Sequence, residues 1–86
     1  MYTVAVHRRA AKALKEIPRT HLVKFYDLIE CLRTNPVPWK VFDVKKIEGM
    51  EDTFRIRMGD YRIIYFIEKT EKMIHILKIE LRSRAY

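Results

Sequence analysis

A single cysteine in 86 residues, Cys31, leaves no material for an internal disulfide or a thiolate metal cage. Glycine is nearly as scarce, at two residues, and neither belongs to a phosphate-binding glycine loop. No apolar run approaches the roughly 20 residues of a membrane-spanning helix. The opening Met1-Tyr2-Thr3-Val4-Ala5-Val6-His7-Arg8 lacks the basic-then-apolar order of a secretory signal. Together these absences give the expectation of a soluble, cytoplasmic chain. His7, His21 and His75 are scattered without metal-ligand spacing, the acids form no telling pair, and no Ser-His-Asp set is visible. No metal or other cofactor is expected, and His75, among apolar residues, reads as a half-buried structural histidine.

What is present is apolar and basic. Hydrophobic residues make up 49% of the chain, enough for one modest core in one domain spanning 1–86 and too much for a disordered chain. Eighteen Lys and Arg against eleven acids give a net charge of +7. The excess is not a tail: residues 1–35 hold seven basic residues against three acids, and residues 36–86 hold eleven against eight. A folded basic domain points to nucleic acid, an acidic protein partner, or both.

Periodicity sets out the elements. Tyr2, Val4 and Val6 alternate as a short strand. Ala10, Ala13, Leu14 and Ile17 then fall on one face of a helix over His7–Ile17, which Pro18 ends or hands to the next helix. A second helix fits Thr20–Thr34, with Leu22, Phe25, Ile29 and Leu32 as its stripe, Leu28 at the edge and Cys31 away from it. The short break at Pro18 makes the two a helical hairpin. Asn35–Lys40 is a loop from which Trp39 is expected to cap the core. Strands follow over Val41–Ile47, Thr53–Met58, Tyr61–Ile67 and Met73–Leu81. The order β-α-α-β-β-β-β predicts an α+β domain, a mostly antiparallel twisted sheet with the helical hairpin packed on one face.

The most telling segment is Thr53-Phe54-Arg55-Ile56-Arg57-Met58-Gly59-Asp60-Tyr61-Arg62-Ile63-Ile64-Tyr65. Gly59-Asp60 suits a type II′ hairpin turn, which sets Met58 opposite Tyr61 and Arg57 opposite Arg62. Like charges directly opposed destabilise a strand pair by up to about 1 kcal/mol. A polyanion site gains from what the fold does not need, because arginine meets phosphate through a planar fork of donors and keeps its charge. A salt-bridged surface, with Asp60, Glu68 or Glu80 as partners, is the other reading of Arg55, Arg57 and Arg62. Two further basic groups stand out. Arg8, Lys12 and Lys15 line one face of the first helix, as a solvated surface or a nucleic-acid contact. Arg82, Arg84 and Tyr86 close the chain, as a frayed end or as an extension of the arginine cluster.

In their order and spacing these pieces resemble the RelE/ParE superfamily of prokaryotic toxins, its archaeal RelE type in particular. The likeness is carried by Ala13-Leu14-Lys15 before Ile17-Pro18, Asn35-Pro36, Lys46-Ile47-Glu48-Gly49, the Phe54–Tyr65 hairpin, and Arg82 with Tyr86 four residues on. It implies the toxin of a type II toxin–antitoxin system: a ribosome-dependent, metal-independent endoribonuclease that cuts mRNA in the ribosomal A site by 2′-OH attack on the adjacent phosphate. It also implies a RelB-like antitoxin as partner, the ribosome and mRNA as targets, no membrane, and operator DNA contact only within the toxin–antitoxin complex. Carried over by position, Arg55 and Arg57 reach the scissile phosphate and 2′-OH, Arg62 and Arg82 stabilise the transition state, and Tyr86 stacks on or orients the substrate. Lys45, Lys46 and Arg84 fall among supporting RNA contacts. Some relatives carry lysine where Arg55 and Arg57 stand, and arginine is a poor general base. Tyr86 is then the titratable group best placed to move a proton. Two other functions fit the same fold: a ParE-like inhibitor of DNA gyrase, and a basic RNA- or DNA-binding module without catalysis.

Overall fold

A computed structural model describes residues 1–81. Strand β1 (Thr3–Val6) leads into helices α1 (Arg8–Lys15) and α2 (Arg19–Thr34), and four strands follow: β2 (Asp43–Lys46), β3 (Thr53–Met58), β4 (Tyr61–Glu68) and β5 (Met73–Leu81). They form one five-stranded sheet in the order β1-β5-β4-β3-β2. β1 runs parallel to β5, and every other neighbouring pair is antiparallel. The expected α+β architecture is therefore the one observed. No helix among the described residues is long and apolar enough to cross a membrane.

Local chemistry explains the breaks. The Glu16 and Ile17 amides bond back three residues, to Ala13 O at 3.0 Å and Leu14 O at 3.3 Å, tightening the end of α1. Pro18 does not end α1 itself; it caps α2, its carbonyl accepting the amides of His21 at 2.9 Å and Leu22 at 3.2 Å. The far end of α2 is tied to the first strand by the Tyr2 amide, which donates to Arg33 O at 2.7 Å.

The core lies between the helices and one face of the sheet. Ile56, Ile63, Tyr65, Ile67, Ile74 and Ile76 meet Ala10, Phe25, Leu28 and Leu32 there. Leu28, placed at the edge of the α2 stripe by periodicity, is only 1% exposed, while Leu22 and Ile29 are partly exposed. The stripe is thus centred about one residue from where the sequence puts it. Two loop expectations fail for one reason. The Val41 and Phe42 amides bond to Pro38 O at 3.1 and 2.9 Å, so these residues belong to a turn and β2 begins only at Asp43. That turn buries Pro38 and leaves Trp39 67% exposed with Lys40 over its ring, so Trp39 does not cap the core.

One irregularity governs which way β5 points. Ile64 pairs with Lys78 but Tyr65 pairs with Ile76, so Leu77 is an extra residue, a β-bulge. Before it Ile74 and Ile76 face the core; after it Ile79 and Leu81 pair with Ile63 and Tyr61 and take over that face. Lys78 and Glu80 are turned to the open side.

Tyr65 joins loop to core. Its ring stacks on Phe54 at 5.7 Å, and its hydroxyl donates to Pro36 O at 2.7 Å. Burial first, and then the neighbouring Cys31, push its phenol well above the ordinary range. The unfolded chain loses this proton near pH 10 while the folded chain keeps it, so the associated stability is complete below about pH 10 and falls above it. In urea unfolding at neutral pH, Tyr65→Phe should cost about 1–3 kcal/mol by leaving the Pro36 carbonyl unpaired. The same variant should lose less stability than wild type as the pH is raised past 10.

Candidate phosphate-binding face of the sheet

The face turned away from the helices carries the charged side chains. Gly59 (φ 61°) supplies the left-handed backbone at the first turn position, and Asp60 does not share it, as a type II′ turn requires. The turn holds Met58 opposite Tyr61 and Arg57 opposite Arg62, as expected from the sequence. Register then builds two rows across four strands. The row nearest the turn reads Asp43, Arg57, Arg62, Glu80, and the next reads Lys45, Arg55, Ile64, Lys78. Five cations thus share a patch with two carboxylates.

The carboxylates do not neutralise the central pair. Asp43 Oδ1 takes Arg55 Nη2 at 3.3 Å, and Glu80 Oε2 takes Lys78 Nζ at 3.4 Å. Among the described residues neither Arg57 nor Arg62 forms an ion pair. The partners weighed from sequence were Asp60, Glu68 and Glu80; the one that binds an arginine is Asp43. The Arg55 side chain is only 17% exposed, and its Nε is buried without a partner. The result is one arginine held in place and two whose donors are free for an anion.

Other expected contacts divide by face. Lys45 joins the rows beside Arg55, whereas Lys46 pairs with Phe54 and takes the helix side of the edge strand. Arg8, Lys12 and Lys15 are exposed on α1, in the layer on the opposite side of the sheet from the arginines. A phosphate held by Arg57 and Arg62 does not touch them. Arg82, Arg84 and Tyr86 lie outside the described residues; in the sequence they follow Leu81, which pairs with Tyr61 beside the turn.

The histidines are less scattered than their spacing implies. His7 Nε2 and His75 Nδ1 are 2.9 Å apart, and His75 stacks on Phe66, on the open face but at the far end of β5. His21 Nδ1 bonds the Tyr61 hydroxyl at 2.8 Å, on the helix side. No three His, Cys, Asp or Glu side chains converge on a metal position among the described residues. Sequence reasoning passed over Asp43 and saw Glu80 only as a salt-bridge partner. The signal for Glu80 was the Ile76-Leu77 doublet, where strict alternation along β5 breaks.

The chain as a whole is similar to known proteins. Residues 4–86 match the family described as the ParE toxin of the type II toxin–antitoxin system, parDE. A Methanocaldococcus jannaschii protein that carries the name RelE1 is 40% identical over 85 residues, spanning 99% of this chain and 94% of its own. The RelE–RelB complex of Pyrococcus horikoshii contains a chain 41% identical, covering 96% of this chain and 97% of that one, with a TM-score of 0.87. A RelB–RelE complex from Methanococcus jannaschii contains one 30% identical, covering 94% and 93%, with a TM-score of 0.75.

If Arg57 and Arg62 serve a ligand rather than the fold, Arg57→Gln should leave thermal stability unchanged or raise it by up to about 1 kcal/mol, since it removes an opposed like charge. Affinity for a short single-stranded RNA should fall and become less salt-dependent. A clear loss of stability would make the arginine structural.

Proposed function

From the premise that this chain belongs to the RelE/ParE family of type II toxins, we propose that it is a ribosome-dependent endoribonuclease that cuts mRNA in the ribosomal A site. The observation that carries the reading is the Arg57–Arg62 pair: two guanidinium groups without an ion-pair partner among the described residues, forced side by side on a sheet face that none of the described helices covers.

The chemistry follows from what arginine does well. The forks of Arg57 and Arg62 grip the non-bridging oxygens of one phosphodiester and stabilise the charge that builds there as the neighbouring 2′-OH attacks. Arg55, braced by Asp43, and Lys45 and Lys78 at the flanks extend the patch along the RNA backbone. Arg82 adds a further cation, and Tyr86 a ring to stack on or orient a base. Much of the rate then comes from alignment: the ribosome holds the mRNA and the hairpin holds the phosphate, so the attacking and leaving oxygens are set in line. Free RNA, which lacks that alignment, is a poor substrate.

A RelB-like antitoxin is the expected partner, an acidic or extended segment of which would cover the arginine rows and shut the enzyme off. Any contact with operator DNA belongs to that complex. The match to a ParE family favours a second reading, inhibition of DNA gyrase. The identity to proteins named RelE, and the exposed arginines, support the first.

Purified toxin added to ribosomes translating a defined mRNA should cut it in the A site and leave the same RNA largely intact in free solution. Arg62→Ala, Arg82→Ala and removal of Tyr86 should each lower the cutting rate by a factor on the order of 10² or more. Intact mRNA together with inhibited supercoiling by gyrase would instead establish the ParE-like activity. Binding without either effect would leave a non-catalytic module.

A further inference from the structure

Arginine cannot readily release a proton, so a site built on Arg55, Arg57 and Arg62 holds a phosphate without a group to deprotonate the 2′-OH. Among the described residues, four strand side chains on the open face carry a carboxylate or an imidazole, Asp43, Glu68, His75 and Glu80, and His7 joins His75 at the far end of that face. Glu68 accepts the Glu71 amide at the far end of the sheet. His75 pairs with Phe66, four residues along β4 from Arg62, which at ~3.3 Å per residue is ~13 Å away. Asp43 is committed to Arg55 and is separated from Arg62 by the whole of β3. Glu80 remains. It stands directly opposite Arg62, and its contact with Lys78 engages Oε2. It is there because of the Leu77 bulge: without the extra residue, the phase of Ile74 and Ile76 would continue and position 80 would point into the core.

We propose that the Glu80 carboxylate is the proton acceptor of the mRNA cleavage inferred above, and the assignment rests on that reading. Glu80 takes the proton of the 2′-OH. The freed oxygen lone pair forms the new bond to phosphorus, the bond from phosphorus to the 5′-oxygen breaks, and its electron pair leaves with that oxygen, which is protonated by water. The products are a 2′,3′-cyclic phosphate and a 5′-OH, and Glu80 returns its proton to solvent. Arg62 holds the phosphate one strand away from the base, the separation that places the 2′-OH between them. The groups facing Glu80 on the open face are Arg62 on β4 with Arg57 behind it on β3 and Lys78 on β5; Glu16 and His21 line a groove on the helix side of the sheet, which residue 80 also borders.

The test is single-turnover cleavage of mRNA on programmed ribosomes by wild type, Glu80→Gln and Glu80→His, with melting temperatures measured alongside. Glu80→Gln should cut about 10²–10⁴-fold more slowly while melting as wild type does. Glu80→His should recover part of the rate, with an acid limb near the ordinary imidazole value of about pH 6.5. Wild-type cleavage with an undiminished Glu80→Gln rate would remove Glu80 from the mechanism and leave the function standing. A Glu80→His rate flat with pH would likewise overturn the proton-transfer role. Failure of wild type to cut ribosome-bound mRNA would sink both the function and the assignment.

Discussion

Everything on the open face of this sheet depends on strand register, and register depends on one residue's backbone. Gly59 sits at φ 61°, a conformation that costs an L side chain roughly 1–2 kcal/mol. A Cβ at that position would meet nothing within 4 Å, so the demand is one of backbone geometry and not of space. With Gly59 in place the two-residue turn closes and Arg57 is pinned to Arg62. A slip of one residue would exchange the faces, burying both arginines and exposing Ile56 and Ile63. The core therefore enforces the site: burial of the isoleucines pays for the juxtaposition of the cations.

The two faces divide the labour. The helix side carries nearly all of the apolar packing, from Phe25, Leu28 and Leu32 onto Ile56, Ile63, Tyr65, Ile74 and Ile76. The open side can then hold charge at little expense to the fold, with exposed ion pairs such as Lys78–Glu80 contributing weakly. This separation also parts the basic line of α1 from the arginine rows. Arg8, Lys12 and Lys15 therefore do not meet a phosphate held at the hairpin.

Features that depend on local spacing were legible in the sequence: the helices from their apolar period, the hairpin and its register from Gly59-Asp60, the long last strand from Met73 to Leu81. Features that depend on distant contacts were not. Nothing local says that β1 lies parallel to β5, which is what brings His7 to His75 across 68 residues of chain. Trp39 was misread because size and hydrophobicity suggest burial, whereas the turn accepted by Pro38 O decides which of the two neighbours goes inside. Asp43 was missed because an aspartate beginning a short edge strand has no local mark, and only the pairing of β2 with β3 brings it to Arg55.

The bulge at Leu77 lies between these cases. Its trace in the sequence is plain, since apolar positions 74 and 76 give way to 79 and 81, but its meaning needs the partner strand. It corrects the phase of β5 so that Ile79 still packs on the core beside Ile63, with Leu81 following on the same face opposite Tyr61. The same correction sets Lys78 and Glu80 among the arginines. A strand without it would keep the packing of only one half, either Ile74 and Ile76 or Ile79 and Leu81. Packing thus supplies a sufficient reason for the bulge, and the placement of a carboxylate beside Arg62 comes with it. Stability measurements on residues of the core face therefore bear on the bulge alone, while the chemistry assigned to the open face has to be read from the rate of cutting.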